Sequence, residues 1–187
     1  RRRVEMEEKK KTIACNCNFA GMRPAMADLP YPSIQVWGRN QAYANLLTID
    51  YCGQTSELSA ITQYINNENR LSYENCSVAR TLLSIAMAEM MHLQKLGELI
   101  VLLGGNVNYT AKHRNGAKRM WTPEYLTIPE HAAKMIQADI AAEKDAIEQY
   151  QMHIKMIQDD CVNAVLARII KDEEYHIMLL RNLLEEL

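Results

Sequence analysis

Two stretches of the chain repeat one octapeptide pattern, and this repeat constrains the fold more than any other feature. Residues 57–64 and residues 143–150 both read Glu-x-x-Ala-Ile-x-Gln-Tyr. Each stretch is followed by one Glu-x-x-His motif, at residues 89–92 and 173–176, and the sequence contains no other such motif. The sequence therefore predicts two similar halves, each with one glutamate followed by a Glu–His pair.

The repeated motifs lie in segments with the periodicity of amphipathic helices. Apolar residues recur every three or four positions in residues 40–69, 77–103 and 129–158, and in the residues after 160. Gly-Gln-Thr-Ser at residues 53–56 favours a kink in the first segment. With 48% hydrophobic residues, seven glycines and five prolines, the chain can form a core and has few helix breakers.

Connection lengths predict how these helices are arranged. Short polar turns at residues 71–76 and 159–160 make each half an antiparallel helical hairpin. The second and third helices are joined by about 23 residues, enough to cross the length of a helix. We predict that residues 39–187 form an all-α four-helix bundle with one long crossover. An extended, partly flexible arm at residues 1–38 precedes the bundle.

The acidic and imidazole groups of both halves fall at one level of this bundle. A Glu and a His at i, i+3 spacing address one point beside a helix. In each half, the midpoint between the first Glu and the His falls in the hairpin turn, so the two sets lie at similar heights. Buried carboxylates repel one another and lose hydration unless cations compensate. Two divalent ions would do so, and the predicted ligands are Glu57, Glu89, His92, Glu143, Glu173 and His176.

Several neighbouring positions belong to the same helix faces. Tyr64 and Tyr150 lie seven residues after Glu57 and Glu143, so their hydroxyls either pack in the core or donate to ligand carboxylates. Asp50 precedes Glu57 by seven residues and is a further inward-facing candidate. Oxygen and nitrogen ligands of this kind suit iron and manganese equally, so the sequence leaves the metal open.

Over residues 40–187 the sequence resembles the ferritin-like superfamily. The octapeptide at residues 57–64, the segment Glu-Met-Met-His-Leu-Gln-Lys-Leu-Gly-Glu-Leu-Ile at 89–100 and the glycines at 104–105 resemble those of rubrerythrins, bacterioferritins and manganese catalases. Leu-Pro-Tyr-Pro at residues 29–32 resembles the arm of manganese-catalase-like spore-coat proteins. The resemblance implies a ferritin-like bundle holding two metal ions on the six predicted ligands. It also implies that Glu89 and either Glu173 or Glu143 bridge the ions.

Two features differ from the rubrerythrin pattern. Rubrerythrins carry an additional ligand glutamate one turn before that of the third helix, where this chain has Ile140. They also carry a rubredoxin module with two CxxC pairs, whereas this sequence contains no CxxC. The resemblance therefore implies a two-metal site without the additional ligand and without a built-in electron donor.

Three functions are compatible with the predicted ligands. The first is an oxidoreductase of hydrogen peroxide or dioxygen, either catalase-like or a peroxidase served by an external electron donor. The second is a ferroxidase that stores iron in a cage or smaller oligomer, and the third is a non-enzymatic, metal-stabilised coat or assembly protein. We favour the first, and on resemblance we expect a homodimer or larger homo-oligomer.

Charge and cysteine content bear on location and partners. The chain has 21 Lys and Arg against 23 Asp and Glu, so it lacks the basic field that favours nucleic acid or an anionic membrane. No apolar run reaches the roughly 20 residues that span a bilayer, and we identify no signal peptide. We predict a soluble cytoplasmic protein with five reduced cysteines.

Some isolated residues receive simpler predictions. Cys15 and Cys17 are predicted to lie on a solvent-exposed tail, although the pair could bind a soft metal or act in redox chemistry. His113, His131 and His153 belong to no carboxylate motif, and we predict that they are surface or capping residues.

Overall fold

The computed structural model describes residues 13–15 and 17–187, which are mostly helical. The α-helices of this part are α1 (Gln41–Cys52), α2 (Glu57–Leu71), α3 (Cys76–Leu102), α4 (Ala132–Met156) and α5 (Asp160–Glu186). The prediction of a helical, ferritin-like bundle is confirmed. Within the described residues, no helix combines the length and hydropathy needed to cross a membrane.

Helices α1 and α2 together form the first long helix of the bundle, interrupted at residues 53–56 as predicted. Gly53 ends α1 by donating its N–H to the Ile49 carbonyl, and a Cβ atom at this position would lie 2.6 Å from that oxygen. Ser56 then caps α2 by accepting from the Ser59 N–H. The break is thus encoded by a glycine that permits close backbone approach and by a serine that starts a new helix.

The two predicted hairpins and the crossover are present. Helix α2 packs mainly against α3, and α4 packs mainly against α5. The crossover between α3 and α4 contains a short antiparallel pair, β1 (Thr110–Lys112) with β2 (Lys118–Met120), and a 3-10 turn at Pro123–Tyr125. These small elements give the crossover a defined path beside α1 and α2, because the Lys112 N–H donates to Thr48 and the Trp121 indole N–H donates to Ser59.

Two apolar clusters fill the bundle on either side of one polar level. Along α3, Leu82 and Ile85 belong to one cluster, whereas Leu96 and Leu99 belong to the other. The intervening turn carries the Glu-x-x-His motif. Along α5 the two clusters follow in the opposite order, again on either side of a Glu-x-x-His motif. Because a fully buried Leu or Ile stabilises the fold by about 1.5–3 kcal/mol, these two clusters offset the burial of the polar groups between them.

The described part of the predicted arm is extended but firmly attached to the bundle. The Ala25 N–H donates to the Ser84 carbonyl at 2.8 Å, and the Ala27 N–H donates to the Asp172 carboxylate at 2.7 Å. The Arg168 guanidinium donates to the carbonyls of Ala27 and Leu29. The division of the chain at residue 38 stays a proposal, as does the partial flexibility predicted for the arm at residues 1–38, of which residues 1–12 and 16 lie outside the described residues.

A disulfide between Cys17 and Cys76 joins the arm to the first residue of α3, with the two Cα atoms 5.2 Å apart. The prediction that all five cysteines are reduced, with Cys17 on an exposed tail, is therefore wrong. The arm returns to the turn before α3, a proximity between residues 59 positions apart that no local spacing reveals. Cys15 is an exposed free thiol, as predicted.

We expect the double substitution Cys17→Ser/Cys76→Ser to lower the free energy of unfolding by about 4 kcal/mol, because the crosslink restricts a long loop of the unfolded chain. Urea unfolding without reductant measures the change. The matched control is Cys161→Ser, which removes a free thiol at the start of α5. Equal unfolding midpoints for the double variant and the wild type would contradict the prediction.

Candidate metal centre

All six predicted ligands lie in the polar level of the bundle, at most 4% exposed. Their donor atoms form two groups of four, within each of which all atoms lie within 4.8 Å of one another. One group consists of Glu57, Glu89, His92 and Glu173, and the other of Glu89, Glu143, Glu173 and His176. Since Glu89 and Glu173 belong to both groups, we propose these two carboxylates as the bridging pair.

Both imidazoles direct Nδ1 at the carboxylates. The Nδ1 atom of His92 lies 2.8 Å from Glu89 and 3.5 Å from both Glu57 and Glu173. The Nδ1 atom of His176 lies 3.1 Å from Glu89, 3.0 Å from Glu173 and 3.3 Å from Glu143. Each ring therefore faces three carboxylates, one of which comes from its own helix at i−3 spacing.

The other nitrogen of each ring is held by a group outside the cluster. His92 Nε2 lies 3.0 Å from the Asp172 carboxylate, and His176 Nε2 lies 2.8 Å from the Ala25 carbonyl oxygen. Because both partners are acceptors, Nε2 carries a proton in each ring. Nδ1 is then the nitrogen that presents a lone pair to a metal ion once its own proton is lost.

Unsatisfied atoms in the cluster test whether metal ions fit. Of the five buried side-chain atoms without a hydrogen-bond partner in the described part of the chain, three belong to this cluster: Glu89 Oε1, Glu173 Oε2 and His176 Nδ1. A buried polar atom without a partner costs about 1–3 kcal/mol. All three face other donor atoms of the cluster, and four carboxylates with two imidazoles form a suitable set for two iron or manganese ions.

The charges of the cluster shift its protonation strongly. Burial, followed by the charge of neighbouring carboxylates, raises the pKa of Glu57 and of Glu143 well above the usual range. For Glu89 burial acts in the same direction, but the two imidazoles outweigh it and hold the pKa well below that range. Burial opposes charging of His92 and His176, yet the surrounding carboxylates raise the pKa of both rings well above the usual range.

These directions predict that metal binding releases protons. The imidazoles and the raised carboxyls hold protons near neutral pH that a metal ion must displace, so affinity for Mn²⁺ or Fe²⁺ should rise with pH and fall in acid. Titrating metal-free protein with Mn²⁺ in a weakly buffered solution, with a pH electrode, counts the released protons. Binding at pH 6–7 without proton release would contradict this charge assignment.

Two tyrosines connect the halves of the repeat. The Tyr64 hydroxyl of α2 donates to Glu143 of α4, and the Tyr150 hydroxyl of α4 donates to Glu57 of α2. Of the two alternatives left open by the sequence, the structure thus has the hydrogen bond to a carboxylate. Each tyrosine braces the glutamate of the opposite half.

Asp172 is a functional candidate that the motif analysis missed. Although burial acts to raise its pKa, hydrogen bonds from His92, Arg168 and Tyr31 lower it to about 2. The Tyr31 ring also lies under Arg168, whose Cζ atom is 4.3 Å from the ring centroid. A signal was present in the sequence, since Asp172 directly precedes Glu173, but its partner at residue 31 is too distant along the chain to infer.

His153 also departs from its prediction as a surface or capping residue. It is 1% exposed, and its Nδ1 atom lies 2.7 Å from Asp50, which is buried as well. The repeat marked this position as equivalent to Asn67, because His153 follows Glu143 by ten residues and Asn67 follows Glu57 by ten residues. His131 is exposed, in agreement with its prediction, and His113 is partly exposed.

A cavity of about 390 Å³ connects the carboxylates with the gap between α2 and α4. Its walls include the four glutamates of the cluster, both tyrosines, Asp50 and Asp139, and residues 125–127 of the crossover contribute to one side. The Thr127 N–H donates to Gln63 at 2.8 Å, which ties the crossover to α2. In the described part of the chain, no Lys, Arg or His side chain lines the cavity.

Comparison with known proteins relates this architecture to two kinds of relative. The family model described as rubrerythrin matches residues 53–184. The chain is 25% identical over 170 residues to a probable manganese catalase of Clostridium acetobutylicum, covering 82% of this chain and 75% of the relative. It is 31% identical over 135 residues to a bacterioferritin of Mycobacterium bovis, covering 70% of this chain and 78% of the relative.

Solved structures give the same two kinds of neighbour. KatB, a manganese catalase from Anabaena, superposes with a TM-score of 0.72 at 26% identity, covering 86% of this chain and 78% of that one. The bacterioferritin BfrA of Mycobacterium tuberculosis superposes with a TM-score of 0.66 at 27% identity, covering 79% of this chain and 87% of that one.

We expect Asp172→Asn to weaken metal affinity by about 10–100-fold, because the group that orients the His92 ring loses its charge. Competition between the protein and a chelator for Mn²⁺ measures the change. Glu174→Gln is the matched control, since this exposed residue of α5 pairs only with Lys171 among the described residues. Equal affinities for the two variants would contradict the role given to Asp172.

Proposed function

The chain belongs to the rubrerythrin family of the ferritin-like superfamily, and we propose that it is a two-metal oxidoreductase that disproportionates hydrogen peroxide. One observation carries the proposal: two ligand groups share Glu89 and Glu173, and the four glutamates of these groups line a cavity large enough for a small substrate. The likeness to manganese catalases in sequence and fold supports the same chemistry.

The proposed metal ions are held by the six side chains of the cluster. Glu57 with His92 would bind one ion and Glu143 with His176 the other, with the two shared glutamates between them. Iron or manganese in these positions would supply redox chemistry in two-electron steps. Either metal is compatible with the donors, and elemental analysis of natively expressed protein decides between them.

The remaining residues position the ligands and select the substrate. Hydrogen bonds from Tyr64 and Tyr150 hold the carboxylates of Glu143 and Glu57. These two carboxylates therefore keep their place when the protonation of the cavity changes. Carboxyl and hydroxyl groups line the cavity, and none of the described residues in its wall is Lys, Arg or His, so the wall disfavours anionic substrates. A small uncharged molecule such as hydrogen peroxide, or dioxygen, suits these walls best.

We expect Glu89→Gln to lower the rate of oxygen evolution from hydrogen peroxide at least about 100-fold, because one shared ligand of both metal positions is lost. An oxygen electrode, with manganese-loaded and iron-loaded protein, measures the rate. Glu98→Gln on the exposed face of α3 is the matched control and should retain the wild-type rate.

Ferroxidase activity with iron storage is the second candidate. The bacterioferritin relative favours it, with higher identity than the manganese catalase relative although over a shorter stretch. Ferrous oxidation and size-exclusion chromatography on the same preparation separate the candidates. Rapid ferrous oxidation in a large hollow oligomer, without oxygen evolution, would overturn the peroxide proposal, and inactivity in both assays would favour an assembly role.

We also propose that the chain forms a homodimer or larger homo-oligomer. Exposed apolar side chains of α3, among them Met90, Met91, Val101 and Leu102, offer surface that a second copy would cover. Elution as a monomer in the same chromatography would contradict this.

A further inference from the structure

One carboxyl group in the cavity wall lies outside the six metal ligands. Asp139 of α4 lines the cavity and is 1% exposed. It lies one turn before Glu143, on the side of α4 that faces α2. A buried carboxyl either pairs with an opposite charge or has a raised pKa, and a raised pKa beside a reactive centre makes it a candidate for proton transfer.

The partner of Asp139 is neutral. The Asn67 side-chain amide lies 3.0 Å from each of the two carboxyl oxygens of Asp139. Among the described residues, Asp139 forms no ion pair with Lys, Arg or His. Burial raises the pKa of Asp139 to about 7, while the hydrogen bonds from Asn67 act to lower it. The carboxyl is therefore able to gain and lose a proton near neutral pH.

The first half of the repeat also places an acid in the cavity wall, Asp50, but this acid has different partners. Asp50 accepts from Gln149 at 2.8 Å and pairs with the His153 ring at 2.7 Å. Asn67 and His153 occupy equivalent positions of the repeat. The two halves thus differ in the group that holds the acid, an amide in one and an imidazole in the other.

Peroxide disproportionation releases protons in one half-reaction and consumes protons in the other, so a group that stores a proton between them is useful. Oxidation of one peroxide molecule yields dioxygen, two electrons and two protons, and reduction of a second consumes two electrons and two protons to yield two waters. Metal ions held by the six side chains of the cluster would supply the exchange of these two electrons. A buried acid that alternates between its two protonation states can hold a proton from one half-reaction to the next.

We propose that Asp139 is this proton carrier, a catalytic residue of the cavity that rests on the proposed peroxide chemistry. Its carboxylate takes one proton from the peroxide that is oxidised, and its carboxyl returns that proton to an oxygen that leaves as water. The second proton of each half-reaction exchanges with solvent water through the cavity mouth.

Among the described residues, the cavity wall around Asp139 contains carboxyl and phenol groups but no Lys, Arg or His side chain. Besides the four glutamates of the metal centre, the titratable side chains that line the same cavity are Asp50, Tyr64, Tyr125, Asp145 and Tyr150. On α2, the pKa of Tyr64 is raised well above its usual range by burial, then by the charge of Glu143 and then by that of Asp139. None of these groups offers Asp139 a positive charge, so proton exchange is the role that its position supports.

The test compares Asp139→Asn with Glu148→Gln, which removes one carboxylate charge from an exposed position of the same helix outside the cavity. With equal metal content, we expect Asp139→Asn to lower kcat about 100-fold with little change in KM. The wild-type rate should rise as the pH passes through neutrality, because Asp139 then loses its proton and becomes able to accept one. This rising limb of the pH–rate profile should be absent in Asp139→Asn. Glu148→Gln should keep both the rate and its dependence on pH.

Two further measurements keep the proposal falsifiable. In chelator-treated protein, the infrared band of a protonated carboxyl that titrates near neutral pH should disappear in Asp139→Asn and persist in Glu148→Gln. Asn67→Ala keeps the carboxyl but removes hydrogen bonds that lower its pKa, so the limb should move to higher pH. An unmoved limb, or loss of the limb in Asp50→Asn instead, would overturn the assignment to Asp139.

The outcomes separate this proposal from the proposed function. If wild-type protein evolves oxygen and Asp139→Asn keeps its rate and pH profile, the proton carrier is refuted and the peroxide chemistry stands. If loaded wild-type protein evolves no oxygen, both are overturned.

Discussion

The structure depends on the burial of four carboxylates and two imidazoles around one centre. Taking such groups out of water costs several kcal/mol each unless opposite charge compensates. The helices present these groups at one level, and the apolar clusters above and below hold the level closed to solvent except at the cavity. Three atoms of the cluster lack a hydrogen-bond partner among the described residues, and the donor atoms lie close enough together to hold cations that would supply this compensation.

The two halves of the repeat depend on each other. Each half supplies a tyrosine whose hydroxyl reaches the glutamate of the other half, so neither hairpin completes its own ligand environment. Similar sequences pack around a shared centre in this way because equivalent positions face each other across it. The halves differ at one pair of equivalent positions, which hold Asn67 and His153. Asp139 therefore has an amide partner, whereas Asp50 has an imidazole partner.

The arm completes the environment of both histidines from outside the bundle. The Ala25 carbonyl accepts from His176, and the Ala27 N–H and the Tyr31 hydroxyl donate to the aspartate that holds His92. The Cys17–Cys76 disulfide lies close to the start of this docked segment. Orientation of the metal-facing nitrogens thus relies on residues that precede the first helix.

The sequence by itself determined the helical fold, its two hairpins, the family and the candidate ligands, because helix periodicity and i, i+3 spacing are local properties repeated in both halves. These predictions of fold and family are confirmed by the structure and the relatives. Only the tertiary structure decided the Cys17–Cys76 bond, the contact of Ala25 with His176 and the pairing of Asp50 with His153. These pairs lie 59 to 151 residues apart, and a contact over such a distance depends on how the helices pack, which no local period encodes.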